Sequence, residues 1–238
     1  MAAADPMVIG SQSALAVQPF RFYTSLVLQE STGLRAATLP TLLKFLRSVP
    51  DASIYYHTHY FLLQHHYLMP EPPNDFAYWV TEVLGEELLG ERLAGIDTVA
   101  YPSLQGLRDA LVGVIEEYLA AYPSARLRFV SPGQEFFFMK SIHVVMPTSY
   151  MASTLEEFSR ALARVSLHCL YFHVFDARLR LGAPTNDFAV WIGEQLGLKD
   201  LAQEISQLDP YVHTLPTLRA MLLVLLSQYV TRQERAHA

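Results

Sequence analysis

The residues best suited to chemistry in this chain are histidines and acids set around two tryptophans. His57, His59, His65 and His66 crowd one stretch, and neutral imidazole serves as a proton acceptor or a metal ligand. Downstream runs Asn74-Asp75-Phe76-Ala77, then Trp79 and Glu82. The string recurs as Asn186-Asp187-Phe188-Ala189, Trp191 and Glu194, preceded by His173. At about 100° per helical residue, Asp75, Trp79 and Glu82 fall on one side of a helix, beside its apolar face. A functional reading puts this acid-Trp-acid stripe in a cleft, with His57 opposite. A structural reading makes Asn74 or Asp75 a helix cap and Glu82 the partner of an arginine such as Arg108. Acids in a first helical turn also suit the macrodipole, and the structural reading is preferred for them.

A divalent metal at His57 and His59 is the obvious cofactor to weigh, and the spacing argues against it. On a helix those two side chains point to nearly opposite sides, and none of the clustered histidines is spaced i, i+4. His-Glu-x-x-His does not occur, and none of the clustered histidines belongs to a Glu-x-x-His motif. Were 55–61 a strand, His57 and His59 would share a face and the metal case would strengthen. Only His57 has a counterpart, His173, because His59 aligns with Phe175. The chain also lacks a Gly-x-Ser-x-Gly elbow, a Walker-type loop and a Gly-x-Gly-x-x-Gly turn. The single cysteine, Cys169, reads as a small buried apolar residue and cannot form an intramolecular disulfide.

The elements that position these groups come in two copies. Phe20-Arg21-Phe22 aligns with Phe136-Phe137-Phe138, and the same offset matches Ser25 with Ser141, Thr38-Leu39 with Thr154-Leu155, and His57 with His173. By the second Asn-Asp-Phe-Ala the offset has shortened by about four residues, close to one helical turn, which shortens a helix without scrambling its faces. Both tryptophans of the chain occupy the same repeat position. The expected organisation is a tail over 1–19, a repeat over 20–122, a turn-rich connector over 123–135, a second repeat over 136–230 and a tail over 231–238. The expected fold class is mainly α, two tandem helical repeats packed about a pseudo-twofold axis.

Within each repeat, Leu39, Leu42, Leu43, Leu46 and Val49 predict a helix capped by Thr38 and stopped by Pro50. Further helices are expected over 52–68, from Asp75 to near Gly85 or Gly90, and over 103–119. The closing helix of the second copy, 215–230, is more apolar and is expected to be the more buried. The opening segments 20–28 and 136–145 are rich in aromatic and β-branched residues and leave strand and helix both open.

The string Ile54-Tyr55-Tyr56-His57-Thr58-His59, with Pro70-Glu71-Pro72-Pro73-Asn74-Asp75-Phe76-Ala77-Tyr78-Trp79 and Leu84-Gly85-Glu86, resembles a prokaryotic family of unknown function. The first repeat carries the pattern almost whole. The second keeps Tyr171-Phe172-His173 and Pro184-Thr185-Asn186-Asp187-Phe188-Ala189-Val190-Trp191. The resemblance implies the organisation and carries no activity with it.

Of 238 residues, 51% are hydrophobic and 17% charged, which suits a globular chain with a substantial core. A net charge of −6 with no basic block disfavours nucleic acid as a partner. The longest apolar run, 220–226, is too short to span a bilayer, and 1–19 lacks the basic start of a signal peptide, so a cytoplasmic protein is expected. Three functions follow. The first is a non-enzymatic module binding an unknown protein or small ligand. The second is a hydrolase-like metal enzyme with its site in the His-rich first repeat. The third is a homo-oligomeric scaffold.

Overall fold

The computed structural model describes residues 15–60, 74–98, 100–208 and 214–236. His65, His66 and the 70–73 part of the proline motif lie outside the described residues. Each repeat opens with a strand of 17 residues, β1 (Phe20–Ala36) and β2 (Phe136–Ala152). The two pair antiparallel as a single ribbon. The expectation of a mainly helical fold of tandem helical repeats is therefore overturned: this is a mixed architecture in which helices pack on a long shared ribbon. The physical reason lies in the opening segments. Phe20 and Phe22 are buried with Arg21 exposed between them, and Phe136 and Phe138 flank an exposed Phe137. That is the period of two belonging to a half-buried strand.

A two-stranded ribbon is marginal alone and needs a packed face. Helices of both repeats supply it, in an exchanged manner. Phe20 and Phe22, from the first repeat, lie in a core with Phe158, Leu162, Phe188 and Trp191 of the second. Phe136 and Phe138 lie in the other core with Leu42, Phe76, Trp79 and Val80 of the first. The strand ends return home, Ala36 to the first core and Ala152 to the second. The register carries the duplication too. Phe20 pairs with Ala152 and Ala36 with Phe136, while Val27 pairs with His143 at the centre. Exchanging the repeats maps this register onto itself.

The helix predicted after β1 forms as α1 (Leu39–Leu46), where the Thr38 hydroxyl accepts the Thr41 N–H at 3.3 Å. Its counterpart α2 (Leu155–Leu162) is capped in the same way by Thr154. Pro50 does not end α1; it precedes the next helical stretch, Asp51–Tyr55. That stretch widens into a π-turn over Tyr56–Tyr60, and the second repeat does the same over Phe172–Asp176. Such turns inside helices often mark functional positions. Among the closing helices, 215–236 is not the more buried: it buries Leu215, Leu218, Leu222 and Leu226, whereas Leu104–Ala121 buries Leu107, Arg108, Leu111, Ile115, Tyr118 and Leu119. No helix among the described residues is long and apolar enough to cross a membrane.

Candidate functional site

The Asn-Asp-Phe-Ala-x-Trp signature and the π-turn histidine meet at the edge of the ribbon, once per repeat. In the first, His57 is buried, and its Nδ1 lies 2.7 Å from Asp75 Oδ2. Its Nε2 accepts the backbone N–H of Met139, on β2, at 2.9 Å. In the second, His173 Nδ1 lies 2.7 Å from Asp187 Oδ2, and Nε2 accepts the Tyr23 N–H of β1 at 2.8 Å. A ring nitrogen that accepts an N–H carries no proton, so the partners assign the neutral tautomer with the proton on Nδ1. Both nitrogens are engaged. The imidazole is a strut that ties one repeat's helix to the other repeat's strand.

The neighbouring residues complete the same junction. Trp79 Nε1–H donates to the Gln134 carbonyl at 2.8 Å, and Trp191 Nε1–H to the Gln18 carbonyl at 2.8 Å, each just ahead of an incoming strand. Asn74 Oδ1 accepts the Ala77 N–H at 2.9 Å while its amide donates to the Leu93 carbonyl at 3.1 Å. Asn186 caps Ala189 at 2.9 Å and reaches the Ile205 carbonyl at 3.5 Å. The asparagine, not the aspartate, is thus the helix cap in both copies. Phe76 stacks on Phe136 with centroids 5.0 Å apart, so the signature's phenylalanine seats the exchanged strand.

The remaining sequence candidates scatter. His59 does not join His57, because 55–60 is helical rather than extended. It is buried, stacks on Tyr55 at 5.4 Å, and its Nδ1 lies 3.0 Å from the Thr58 hydroxyl. Burial pushes its pKa down to about 4. Glu82 is exposed, and the arginine suggested for it is engaged elsewhere: Arg108 binds Asp51 at 2.6 Å and the Leu46 carbonyl at 2.6 Å. Glu194 is not buried. Cys169 is fully buried, and burial pushes its thiol up to about 12. Among the described residues, no three or more His, Cys, Asp or Glu side chains converge in a way that could hold a metal ion.

Two groups of residues went unnoticed in the sequence. The first is a buried bridge between the two helical stretches that carry the π-turns. Tyr55 O–H donates to Asp176 Oδ1 at 2.6 Å across the repeats, and Tyr171 O–H donates back to the His59 carbonyl. Burial drives the Asp176 carboxyl up to about 7, against the opposing pull of the Tyr55 hydrogen bond and Arg180. Burial and the Asp176 charge likewise raise Tyr55 well above the ordinary phenol range. An acid ending the apolar run Leu170-Tyr171-Phe172-His173-Val174-Phe175 was the one available signal.

The second group is Arg180 with the cavity it borders. Its guanidinium lies 4.3 Å over the Phe172 ring, donates to Asp187 Oδ2 at 2.7 Å and reaches the Phe172 carbonyl at 3.1 Å. Burial alone would raise Asp187, but the hydrogen bonds from His173 and Arg180 outweigh it and hold the carboxyl below its usual range. Desolvation holds His173 below the usual imidazole range, in keeping with its neutral tautomer. Beside these residues opens a cavity of about 730 Å³, bordered by Gln18, Arg21, Tyr23, Phe172, Trp191, Glu194 and Gln195 as well. It lies where β1 crosses onto the second repeat.

Two like units of strand and helices, each packed on the other's strand and each with a histidine strut, make up the fold. A family profile described as Family of unknown function (DUF5752) matches residues 17–227, and the chain belongs to that family. Among solved structures, the chain is similar to OrfY from Thermoproteus tenax, at 28% identity and a TM-score of 0.75, over 90% of this chain and 96% of that one. No curated protein matches it.

Proposed function

We propose that the protein is a non-catalytic binding module whose ligand site is the cavity between β1 and the second repeat's helices. One observation carries this reading: the most reactive side chains of the signature are used up in holding the ribbon, while the cavity beside them presents polar groups with nothing to hold. The imidazoles of His57 and His173 have no lone pair left for a metal or a substrate proton, which weakens the alternative of a metal-dependent hydrolase. By contrast, the Arg21 guanidinium and the Glu194 carboxylate have no hydrogen bond or ion pair among the described residues. The volume is within the range of small-molecule sites, roughly 300–1,000 Å³.

The wall chemistry narrows the ligand. Arg21 offers a donor fork to an anionic or carbonyl group, and Glu194 accepts from hydroxyl or amino groups. The edges of Tyr23, Phe172 and Trp191 give an apolar side. A small polar molecule with one acidic group and several donors fits this set better than a polyanion, which Glu194 and Asp187 would repel. Screening such compounds by thermal shift, followed by calorimetry, tests the reading. Arg21→Ala and Glu194→Ala are expected to weaken a hit at least tenfold without lowering the melting temperature of the empty protein. A panel in which no compound binds, or binding indifferent to both substitutions, would sink it. Stoichiometric metal in tag-free protein, lost on His57→Ala and His59→Ala, would restore the enzyme reading instead.

A further inference from the structure

The ribbon has two faces: one packs on the helices around Ser25 and Ser141, and the other is open along most of its length. Antiparallel partners project to the same side, so the pairs Thr24–Met146, Leu26–Val144, Leu28–Ile142 and Glu30–Lys140 share one face. The alternate residues Ser25 and Ser141 face inward and are buried, and His143 meets Tyr55 edge-on at 4.5 Å. The outer side chains remain in water: Leu26 is 48% exposed, Leu28 47%, Ile142 43%, Val144 40% and Met146 41%. Five adjoining apolar side chains of this kind expose on the order of 400 Å², the size of patch that monomers seldom leave without a use.

We propose that this face is where a second copy of the chain docks, ribbon against ribbon, about a twofold axis lying between the faces and parallel to the strands. The charges select that occupant and that axis. The patch ends in one ion pair, Glu30 on β1 with Lys140 on β2 at 3.1 Å. A rotation about an axis along the strands keeps this end in place and exchanges the two strands. The second copy's Glu30 then faces Lys140 and its Lys140 faces Glu30, so four charges alternate in sign at one rim. The same rotation lays Leu26 against Val144 and Leu28 against Ile142, so each leucine meets a β-branched side chain. Face-packed sheets cross at about 30°, which leaves these contacts within reach. A charge-free centre matters for a chain with a net charge of −6, since two copies repel everywhere else. This surface is separate from the ligand cavity, and either proposal stands without the other.

The test is sedimentation equilibrium of the full chain over a wide concentration range, with variants placed in solvent-exposed strand positions. The expected result is a dimer of the 26.9 kDa chain that Leu26→Asp with Ile142→Asp weakens at least tenfold. Glu30→Lys and Lys140→Glu, each alone, are expected to weaken self-association several-fold, because each puts like charges opposite one another. Mixing those two single variants should restore it. One chain then carries only positive charge at the rim and the other only negative, so every facing pair is again opposite in sign. Circular dichroism and the melting temperature of each variant separate lost docking from lost folding, and the mixing result stands even if the double apolar variant unfolds. A single-chain mass at every concentration overturns the proposal. So does a dimer that ignores all four substitutions.

Discussion

Replacing His57 by alanine should separate a structural strut from a reactive imidazole. The substitution removes the acceptor of the Met139 N–H, which points at the buried ring. An orphaned buried donor costs about 1–3 kcal/mol. It also removes the bond to Asp75, whose side chain is 28% exposed and regains water, so that loss is nearer 1 kcal/mol. The ring vacates a space against Phe136, 4.7 Å away between centroids, and Phe76, 5.4 Å away, adding a cavity cost of about 1 kcal/mol. The sum is about 3–5 kcal/mol. His173→Ala should cost about 1 kcal/mol less, because Arg180 still holds Asp187. Glutamine reaches the Nε2 position and can accept the Met139 N–H, so His57→Gln should recover part of the loss. Urea unfolding followed by circular dichroism, with the slope compared among variants, reads these differences directly. His57→Ala within about 0.5 kcal/mol of the parent protein would refute the strut, as would glutamine proving worse than alanine.

Further outcomes follow from single features. Asp176 titrates near 7 when folded and far lower when unfolded, so the unfolded chain binds fewer protons between about pH 4 and 7 and stability declines as pH rises through that window. Asp176→Asn keeps an acceptor for Tyr55 and should flatten that decline, which melting temperatures from about pH 4 to 8 would reveal. His59 works the other way: its folded pKa of about 4 means that stability is lost as pH falls from the ordinary imidazole value toward 4, and His59→Phe, the second repeat's residue, should reduce that acid sensitivity. Asn74→Ala strands the Ala77 N–H and the Leu93 carbonyl in a fully buried site, and chemical denaturation should show a loss of about 2–4 kcal/mol. Gly113 lies inside the helix Leu104–Ala121, where an added Cβ meets nothing within 4 Å. Gly113→Ala should therefore stabilise by about 0.5–1 kcal/mol, and a lower melting temperature would contradict the packing described.

The sequence by itself determined the duplication, because identical types at a constant offset need no coordinates to be seen. It also determined the capped helices after each strand, since Thr38 and Thr154 precede apolar positions at helical spacing and act locally. The same local reasoning marks Asn74, just after Pro72-Pro73, as a natural cap, with Asp75 as the alternative, and the asparagine holds that role. What the tertiary structure alone decided is long-range. The opening segments are amphipathic enough for either period, and the partner that made them strands lies more than a hundred residues away. For the same reason His57 looked like a potential ligand: its pairing with Asp75 spans a proline-rich interval, and its bond to Met139 crosses to the other repeat. Asp176 and Arg180 were barely marked in the sequence because burial and facing charge, not residue type, make them unusual. Local chemistry is written in neighbours along the chain, whereas the exchange of strands is written only in which apolar face fills which core.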